Sequence, residues 1–204
     1  MTPGPASVES SPLVLHLRPA IDMTDEQFYE FCRMNREVRI ERAADGDLLI
    51  MAPSGGRTGD RNAEITFQLR QWAKRDGQGV TFDSSTGFRL PNGAIRAPDA
   101  AWMSRERWNR IPEEQQEKLA PVCPDFVIEL RSPSDDLRLL QDKMQEYLAN
   151  GARLGWLIDP ATQAVHVYGS DVAPRELVTP AELSAEPSLP GFVLNLTAIW
   201  RPSL

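Results

Sequence analysis

One acidic residue lies in a segment where a charged side chain is unexpected. In the run DFVIEL, strand alternation places Phe126, Ile128 and Leu130 on one face and Val127 with Glu129 on the other. Both faces are mainly apolar, as in a strand inside a parallel sheet. A carboxylate buried there needs a cation, a proton or hydrogen-bond donors. A bound metal ion would meet that need, and a structural arginine is the alternative partner.

Asp99 raises the same question from a second strand. It follows Pro98 and opens the strand-like run DAAWMS, in which two alanines leave room beside it. Two carboxylates on neighbouring strands repel each other, and a hard divalent cation such as Mg²⁺ or Mn²⁺ turns that repulsion into affinity. We therefore expect Asp99 and Glu129 to share a metal site suited to hydrolysing phosphodiester bonds. The alternative for Asp99 is a residue that caps a turn after proline.

Lys143 borders the apolar stripe of a helix predicted over about residues 136–150. Leu140 precedes it by three residues and Tyr147 follows it by four. If this helix packs beside the strand that carries Glu129, the ammonium reaches the acidic site. Snorkelling outward into water is the alternative.

The balance of charges is uneven along the chain. The formal net charge of −7 argues against a nucleic-acid partner, because binding to a phosphate backbone is driven by positive charge. Between residues 54 and 75, however, five basic residues face two acids, and residues 89–110 repeat that ratio. Such stretches favour phosphate binding, and scattered solvated arginines are the alternative. The basic residues of the first stretch are Arg57, Arg61, Arg70, Lys74 and Arg75.

Several other chemistries have little support. Two cysteines, Cys32 and Cys123, cannot build a disulfide framework, and reduced thiols are expected. His16 and His166 lie near no Ser or Cys motif, and no Gly-rich phosphate loop is present. The apolar runs are too short to cross a bilayer, and the start of the sequence does not resemble a secretory signal. We expect a cytoplasmic protein without a membrane partner.

The pattern along the chain predicts one α/β domain over residues 21–204, preceded by a flexible arm over residues 1–20. Thr24 is an expected N-cap of a short helix, and the runs VRIER and DLLIMA predict a β-hairpin. A helical stripe follows between residues 57 and 75 and ends at Asp76-Gly77.

Short β-like pieces then lie near Val80, Phe88 and Asp99, followed by a polar helical excursion and the strand DFVIEL. The helix that carries Lys143 leads into the strand GWLID. Strand, helix and strand at this spacing predict a parallel, right-handed crossover. AVHVY is its expected hairpin partner, and residues 181–204 are expected to form a packed closing segment.

The order of these elements and five segments resemble the Uma-type restriction endonuclease family, formerly a domain of unknown function, in the PD-(D/E)XK nuclease superfamily. The resemblance runs from about residue 24 to residue 200. It implies a restriction-endonuclease-like core in the order αβββαβ, with a central mixed β-sheet flanked by helices, preceded by a helix and a hairpin. The segments are MAPSGGRTGDRNAEI, STGFRLPNGAIRAPDAAW, CPDFVIELRSPSDDL, KMQEYLANGARLGWLIDP and LPGFVLNL.

The resemblance also implies site residues. Asp99 and Glu129 would be metal ligands, together with the backbone carbonyl of Leu130. Glu64, on the first core helix, would be a third catalytic acid, and a solvated glutamate is the alternative there.

This sequence departs from the family pattern at one position. The family name implies a lysine two residues after the second acid, where this chain has Arg131. Because arginine does not give up its proton, it is a poor general base. We infer that Lys143 supplies the missing amine. Arg131 would bind phosphate or take no part, and Arg57 and Arg61 are further candidates for substrate binding.

These observations predict an endonuclease that depends on Mg²⁺ (or Mn²⁺) and acts on nucleic acid, with DNA as the expected substrate. A homodimer would suit a duplex cutter. The main alternative is an inactive nuclease fold that binds nucleic acid or a protein partner, which Arg131 and the acidic net charge favour. A weaker alternative is a carboxylate-pair hydrolase acting on sugars.

Overall fold

Thirteen short strands and six helices make up the part of the chain that this computed structural model describes, residues 12–170 and 172–202. The strands are β1 (Leu13–Leu15), β2 (Arg39–Arg42), β3 (Leu48–Met51), β4 (Gly79–Asp83), β5 (Phe88–Arg89), β6 (Ile95–Arg96), β7 (Ala100–Ser104), β8 (Phe126–Leu130), β9 (Leu154–Asp159), β10 (Ala164–Gly169), β11 (Val172–Val178), β12 (Glu182–Ser184) and β13 (Val193–Asn195). The helices are α1 (Asp25–Met34), α2 (Gly56–Asp76), α3 (Arg105–Trp108), α4 (Glu113–Gln116), α5 (Leu137–Ala149) and α6 (Thr197–Trp200).

The central sheet has six strands in the order β11-β10-β9-β8-β7-β4. Strands β8 and β9 are parallel, and the other neighbouring pairs are antiparallel. Helix α5 connects the parallel pair, as the spacing of the two strands predicts. The succession α2, β4, β7, β8, α5, β9 confirms the expected αβββαβ core.

The two faces of β8 pack against different helices. Phe126 and Ile128 lie in one hydrophobic cluster with Ile65 of α2, whereas Val127 lies in another with Met144 of α5. This alternation confirms the prediction that both faces of the strand are buried. Glu129 therefore points to the side of the sheet covered by α5.

A second sheet, in the order β1-β3-β2-β6-β5, lies beside the core. The predicted hairpin is confirmed as β2 and β3, and Thr24 caps α1 with a capping box. The β-like piece near Phe88 joins this second sheet as β5. Its core contains Phe28, Ile40 and Leu48.

The ends of α2 follow from the local sequence. Gly77 lies just beyond the helix with φ of 73°, and its N–H donates to the carbonyl of Ala73. A glycine adopts this left-handed conformation without the strain that a Cβ would cause. No side chain caps the opposite end at Gly55.

The expectation of a flexible arm over residues 1–20 is wrong for β1, which pairs antiparallel with β3. Residues 1–11 lie outside the described part of the chain. The closing segment packs as predicted, because Leu183, Phe192 and Ile199 belong to the cluster on the α2 face. None of the helices formed by the described residues is long and apolar enough to cross a membrane.

Candidate active site

The two predicted acids lie opposite each other on neighbouring strands. The register of β7 and β8 pairs Ala100 with Ile128, and its continuation by one residue places Asp99 opposite Glu129. The backbone N–H of Leu130 donates to Asp99 Oδ2 over 2.8 Å. Both acids are buried, with exposed fractions of 7% for Asp99 and 3% for Glu129. The structure therefore brings together the pair on which the sequence analysis depends.

Helix α5 presents two side chains, one turn apart, to the same oxygen of Glu129. Lys143 Nζ lies 2.8 Å from Glu129 Oε1. The Tyr147 hydroxyl donates to the same atom over 2.9 Å. Lys143 therefore points inward, as the sequence analysis inferred.

A third acid comes from the hairpin of the second sheet. Glu41 is 2% exposed, and its Oε1 accepts hydrogen bonds from Lys143 Nζ at 2.9 Å and from the N–H of Ala97 at 3.1 Å. Its Oε2 lies 3.4 Å from Arg96 Nη1. Lys143 is thus held between two buried carboxylates, Glu41 and Glu129.

Arg39 joins the same cluster from the solvent side. It lies on the same face of β2 as Glu41, because the two residues are two positions apart in a strand. Arg39 Nη1 donates to Asp99 Oδ1 over 3.0 Å, and its Nη2 lies 3.4 Å from Glu41 Oε1. Its side chain is 30% exposed, so that it reaches from the buried acids to water.

The buried charges shift one another's pKa values. Burial raises the pKa of Glu129 to about 7; nearby Lys143 opposes this shift, and the charges of Asp99 and Glu41 add to it. For Glu41, burial also favours the neutral form, but Lys143, Arg39 and Arg96 together lower the pKa to about 2.

Burial works in the other direction on the ammonium. It lowers the pKa of Lys143, but Glu129 and Glu41 outweigh it, and the pKa is raised above its ordinary value. At neutral pH the cluster therefore combines an ionised Glu41, a charged Lys143 and a Glu129 close to its titration point.

These acids line a cavity of about 1050 Å³. The N-terminus of α2 also borders it through Gly55, Gly56 and Arg57, and Leu130 lines it from β8. Because no side chain caps this helix end, its first backbone N–H groups are able to bind an anion. The cavity thus combines acidic ligands with a helix end that favours phosphate.

Glu64 does not lie with the other acids of the predicted site. Its Oε1 accepts a hydrogen bond from Gln68 over 2.8 Å, and it does not line the cavity. The residue of α2 that reaches the acids is Asn62, whose Nδ2 lies 3.4 Å from Asp99 Oδ1. Two residues correspond to about 200° around a helix axis, so Glu64 faces away when Asn62 faces inward. The sequence does contain a signal for Asn62: it precedes the buried Ile65 by three residues, so the two lie on the same face of α2.

Two of the predicted phosphate-binding arginines also lie outside the cavity lining. Arg131 Nη1 donates to Asp159 over 2.8 Å and its Nε donates to the carbonyl of Asp135. Arg61 Nε donates to the carbonyl of Ile199 over 2.8 Å. Both guanidinium groups therefore tie parts of the fold together, and Arg57 is the predicted arginine that borders the cavity.

The side-chain oxygens present at the site fit a hard divalent cation that is held by few protein ligands. Asp99 and Glu129 supply two carboxylates, and Asn62 Oδ1 is a buried oxygen without a hydrogen-bond partner. Mg²⁺ is commonly bound by one or two carboxylates, with water and phosphate oxygens completing the shell. Among residues 12–170 and 172–202, no group of three or more His, Cys, Asp and Glu side chains is placed to hold a metal ion. The role of the Leu130 carbonyl as a ligand stays a prediction.

Three residues of this cluster, Glu41, Arg39 and Asn62, are not among the residues predicted from the sequence. Alternation in VRIER places Arg39 and Glu41 on one face of the hairpin, but nothing in the local sequence shows that this face meets Asp99, distant along the chain. Tyr147 was recognised only as part of the apolar stripe of α5.

Comparison with known proteins agrees with this architecture. The sequence matches the family Uma2, described as "Putative restriction endonuclease", over residues 25–197. No curated protein matches the chain. A similar solved structure is "Crystal structure of a putative nuclease belonging to DUF820 from Anabaena variabilis ATCC 29413", with 19% sequence identity and a TM-score of 0.69. The similarity covers 88% of this chain and 98% of that one, and at this identity it shows the shared fold. Since the family match spans most of the sequence, the chain belongs to the Uma2 family, and the resemblance drawn from its sequence segments is confirmed.

Proposed function

We propose that the chain is a divalent-metal-dependent endonuclease that hydrolyses phosphodiester bonds of nucleic acid, with DNA in the cytoplasm as the expected substrate. One observation carries the proposal: Asp99 and Glu129 face each other across β7 and β8, with the ammonium of Lys143 2.8 Å from Glu129 Oε1. Membership of a family described as "Putative restriction endonuclease" supports the reaction class.

Asp99 and Glu129 would hold Mg²⁺ or Mn²⁺, with the Leu130 carbonyl as a further ligand. A bound ion of this kind polarises a phosphate and lowers the pKa of water, which generates the nucleophile for hydrolysis. Asn62, through its unpartnered Oδ1, would orient a water or a phosphate beside Asp99. Arg39 has to turn away from Asp99 when an ion binds there, and its partial exposure gives it access to solvent.

Lys143 would orient the attacking water or stabilise the charge that develops on the phosphate. Glu41 acts through Lys143: by accepting a hydrogen bond from Nζ at 2.9 Å, it fixes the ammonium beside Glu129 and raises the pKa of Lys143. Tyr147 holds Glu129 from the same helix through its hydroxyl. In this arrangement the amine stays charged and positioned before a substrate enters.

The substrate phosphate would be bound at the N-terminus of α2. Gly55 and Gly56 have open space where a side chain would stand, so a phosphate can approach their backbone closely. The helix dipole and uncapped N–H groups favour an anion there, and Arg57 adds a positive charge.

A catalytically inactive member of the fold, which binds nucleic acid or a protein partner, is the second candidate. One observation favours it: Asp99 is paired with Arg39, and Glu129 with Lys143, so both predicted metal ligands have protein cations. The two candidates differ in whether a metal ion competes with these cations.

A cleavage assay tests the proposal. The chain is incubated with supercoiled plasmid and with single-stranded DNA in the presence of Mn²⁺ or Mg²⁺, with and without EDTA. We expect cutting that requires the metal and disappears in Glu129→Ala.

A matched control is Asp45→Ala, which removes an exposed carboxylate of the turn between β2 and β3 that accepts a hydrogen bond from the N–H of Asp47 and does not line the cavity. This variant should cut like the parent. Cutting by Glu129→Ala at the parent's rate, or cutting that EDTA does not reduce, would rule out the proposed site.

A further inference from the structure

A second depression, of about 660 Å³, runs along one flank of α2 and ends against β4. Its helical wall is a stripe in which small residues come first and larger ones follow. Gly59 and Ala63 leave the N-terminal part of the stripe open, and Phe67, Arg70 and Lys74 line the remainder. We call this depression the α2 groove.

The α2 groove adjoins the acidic cavity. Ser54 and Asn62 line both of them. Asn62 Nδ2 lies 3.4 Å from Asp99 Oδ1, so the inner end of the groove reaches the candidate active site. From Asn62 to Lys74 the helix extends for about 18 Å, enough to follow several nucleotides of one strand.

The groove presents an aromatic ring and two cations. Phe67 is 57% exposed, and it is the one aromatic residue among the large apolar side chains that the described part of the chain exposes. Arg70 follows by one turn and donates to Thr81 Oγ1 over 3.0 Å, which holds it beside β4. Lys74 follows by another turn. Their spacing of three and four residues keeps all three on one side of the helix.

The acids near this stripe offset its positive charge only in part. Asp60 and Glu64 of α2 do not line the groove, and Glu64 accepts a hydrogen bond from Gln68. Asp83 lines the far end, where its Oδ1 accepts hydrogen bonds from the N–H and hydroxyl of Ser85. The charged residues that line the groove are Arg70, Lys74 and Asp83, so the groove carries a formal charge of +1 in a chain whose net charge is −7.

We propose that the α2 groove binds an unpaired nucleic-acid strand and leads its backbone into the acidic cavity, with one base stacked on Phe67 and phosphates bound by Arg70 and Lys74. This inference rests on the proposed nuclease function and specifies the form of its substrate. An exposed aromatic ring beside cations is an arrangement with which proteins bind single strands, because every base has a face that stacks. In a duplex the base faces are covered by their neighbours, so the ring favours a strand that is already open or is opened at the site.

Binding of a labelled single-stranded DNA oligonucleotide, followed by fluorescence anisotropy in EDTA, tests the inference without cleavage. Phe67→Leu keeps an apolar side chain and removes the aromatic face, and we expect it to weaken binding about tenfold. Phe67→Trp should bind at least as tightly as the parent. An equal affinity of the parent, Phe67→Leu and Phe67→Trp would overturn the role of the ring.

The cations are tested by the salt dependence of the same binding. Replacing Arg70 and Lys74 together by alanine should reduce the slope of log affinity against log salt by about 1.4, because each phosphate contact to a single strand contributes about 0.7. Arg75→Ala is the matched control, since Arg75 is next to Lys74 on α2 but does not line the groove. A loss as large in Arg75→Ala as in the double variant would overturn the proposed path.

The failure of this inference is distinguishable from the failure of the proposed function. If the parent cuts plasmid in a metal-dependent way but binds single strands no better than Phe67→Leu does, the proposed role of the groove is refuted. The proposed nuclease function would be unaffected by that result. A duplex of the same sequence is the competitor. If the duplex displaces the single strand completely at equal concentration, the preference for an unpaired strand is refuted.

Discussion

The ammonium of Lys143 lies 2.8 Å from Glu129 Oε1, so helix α5 brings an amine to this site and the strand that carries the acid does not. Arg131 follows Glu129 by two residues, but its guanidinium donates to Asp159. The amine beside Glu129 therefore comes from Lys143 on α5 and not from the residue two positions after Glu129 in the sequence. Glu41 also accepts a hydrogen bond from Lys143, so a positive charge is held beside Glu129 although position 131 has no lysine.

Lys143→Ala should lower the rate of plasmid cleavage about 100-fold, in the range expected when a positioned proton donor or acceptor is lost. Arg131→Ala should lower it less than tenfold, because its guanidinium contacts Asp159 and the backbone of Asp135. Initial rates are measured at a temperature where both variants are folded, as judged by circular dichroism. Lys143→Arg serves as the control that keeps the charge. A larger loss of rate in Arg131→Ala than in Lys143→Ala would show that Arg131, and not Lys143, provides the catalytic cation.

Glu41→Gln should reduce both stability and turnover. The substitution keeps an oxygen that accepts from Ala97 but removes the negative charge beside Lys143, Arg39 and Arg96. Removing one partner from a buried ionic cluster typically costs about 3–5 kcal/mol, which chemical denaturation measures.

The same variant shows whether Glu41 positions the amine or only supports the fold. With one of its two anions gone, Lys143 should have a lower pKa, and the alkaline limb of the pH–rate profile should move to lower pH. A purely structural role predicts lost stability with an unchanged profile. An unchanged profile would therefore contradict the positioning role.

Much of the core could be predicted because its signals are local. The stripe containing Ile65 and Leu69 predicted α2, and the alternation in DFVIEL predicted a strand buried on both faces. Asp99 and Glu129 could be paired because each posed the same physical problem, a carboxylate beside apolar neighbours. The family resemblance supplied the order in which these segments combine.

The remainder depends on contacts that no local pattern encodes. Glu41 lies in a hairpin whose packing against α5 is set by the whole fold, so its contact with Lys143 was not predictable. The family resemblance implies Glu64 on α2, but Asn62 is the residue that reaches Asp99, because a two-residue difference in helical phase decides which side chain enters the cavity. Clustered Pro and Ser with little periodicity predict a flexible arm over residues 1–20, although Leu13–Leu15 within it pair with β3.

The metal-free protein should lose stability as the pH rises from about 4.5 to about 7 through the titration of Glu129. Its pKa is raised to about 7 in the folded state, mainly by burial, from an ordinary value of 4.5. Between these values the folded state binds more protons than the unfolded state, so the free energy of unfolding falls with pH. The slope from this group approaches about 1.4 kcal/mol per pH unit.

Glu129→Gln should remove that slope, and denaturation at several pH values in EDTA compares the two proteins. Glu41 acts in another window: its pKa is lowered to about 2, so its contribution is present above about 4.5 and is lost as the pH falls toward 2. Equal slopes for the parent and Glu129→Gln between pH values of about 4.5 and 7 would contradict the raised pKa of Glu129.

Arg39 and a metal ion should compete for Asp99. The guanidinium lies 3.0 Å from Asp99 Oδ1, where a divalent ion would also bind, so each excludes the other. Millimolar Mn²⁺ should raise the melting temperature of the parent, because a ligand that binds only the folded state stabilises it by about 2.7 kcal/mol at 100 times its Kd. Arg39→Ala should be less stable without metal, and its melting temperature should rise more with Mn²⁺ than that of the parent.

Asp99→Asn is the control, and its melting temperature should rise little with Mn²⁺. A shift in Arg39→Ala that is smaller than in the parent would show that Arg39 supports the ion instead of competing with it, and no shift in either protein would favour the inactive form of the fold.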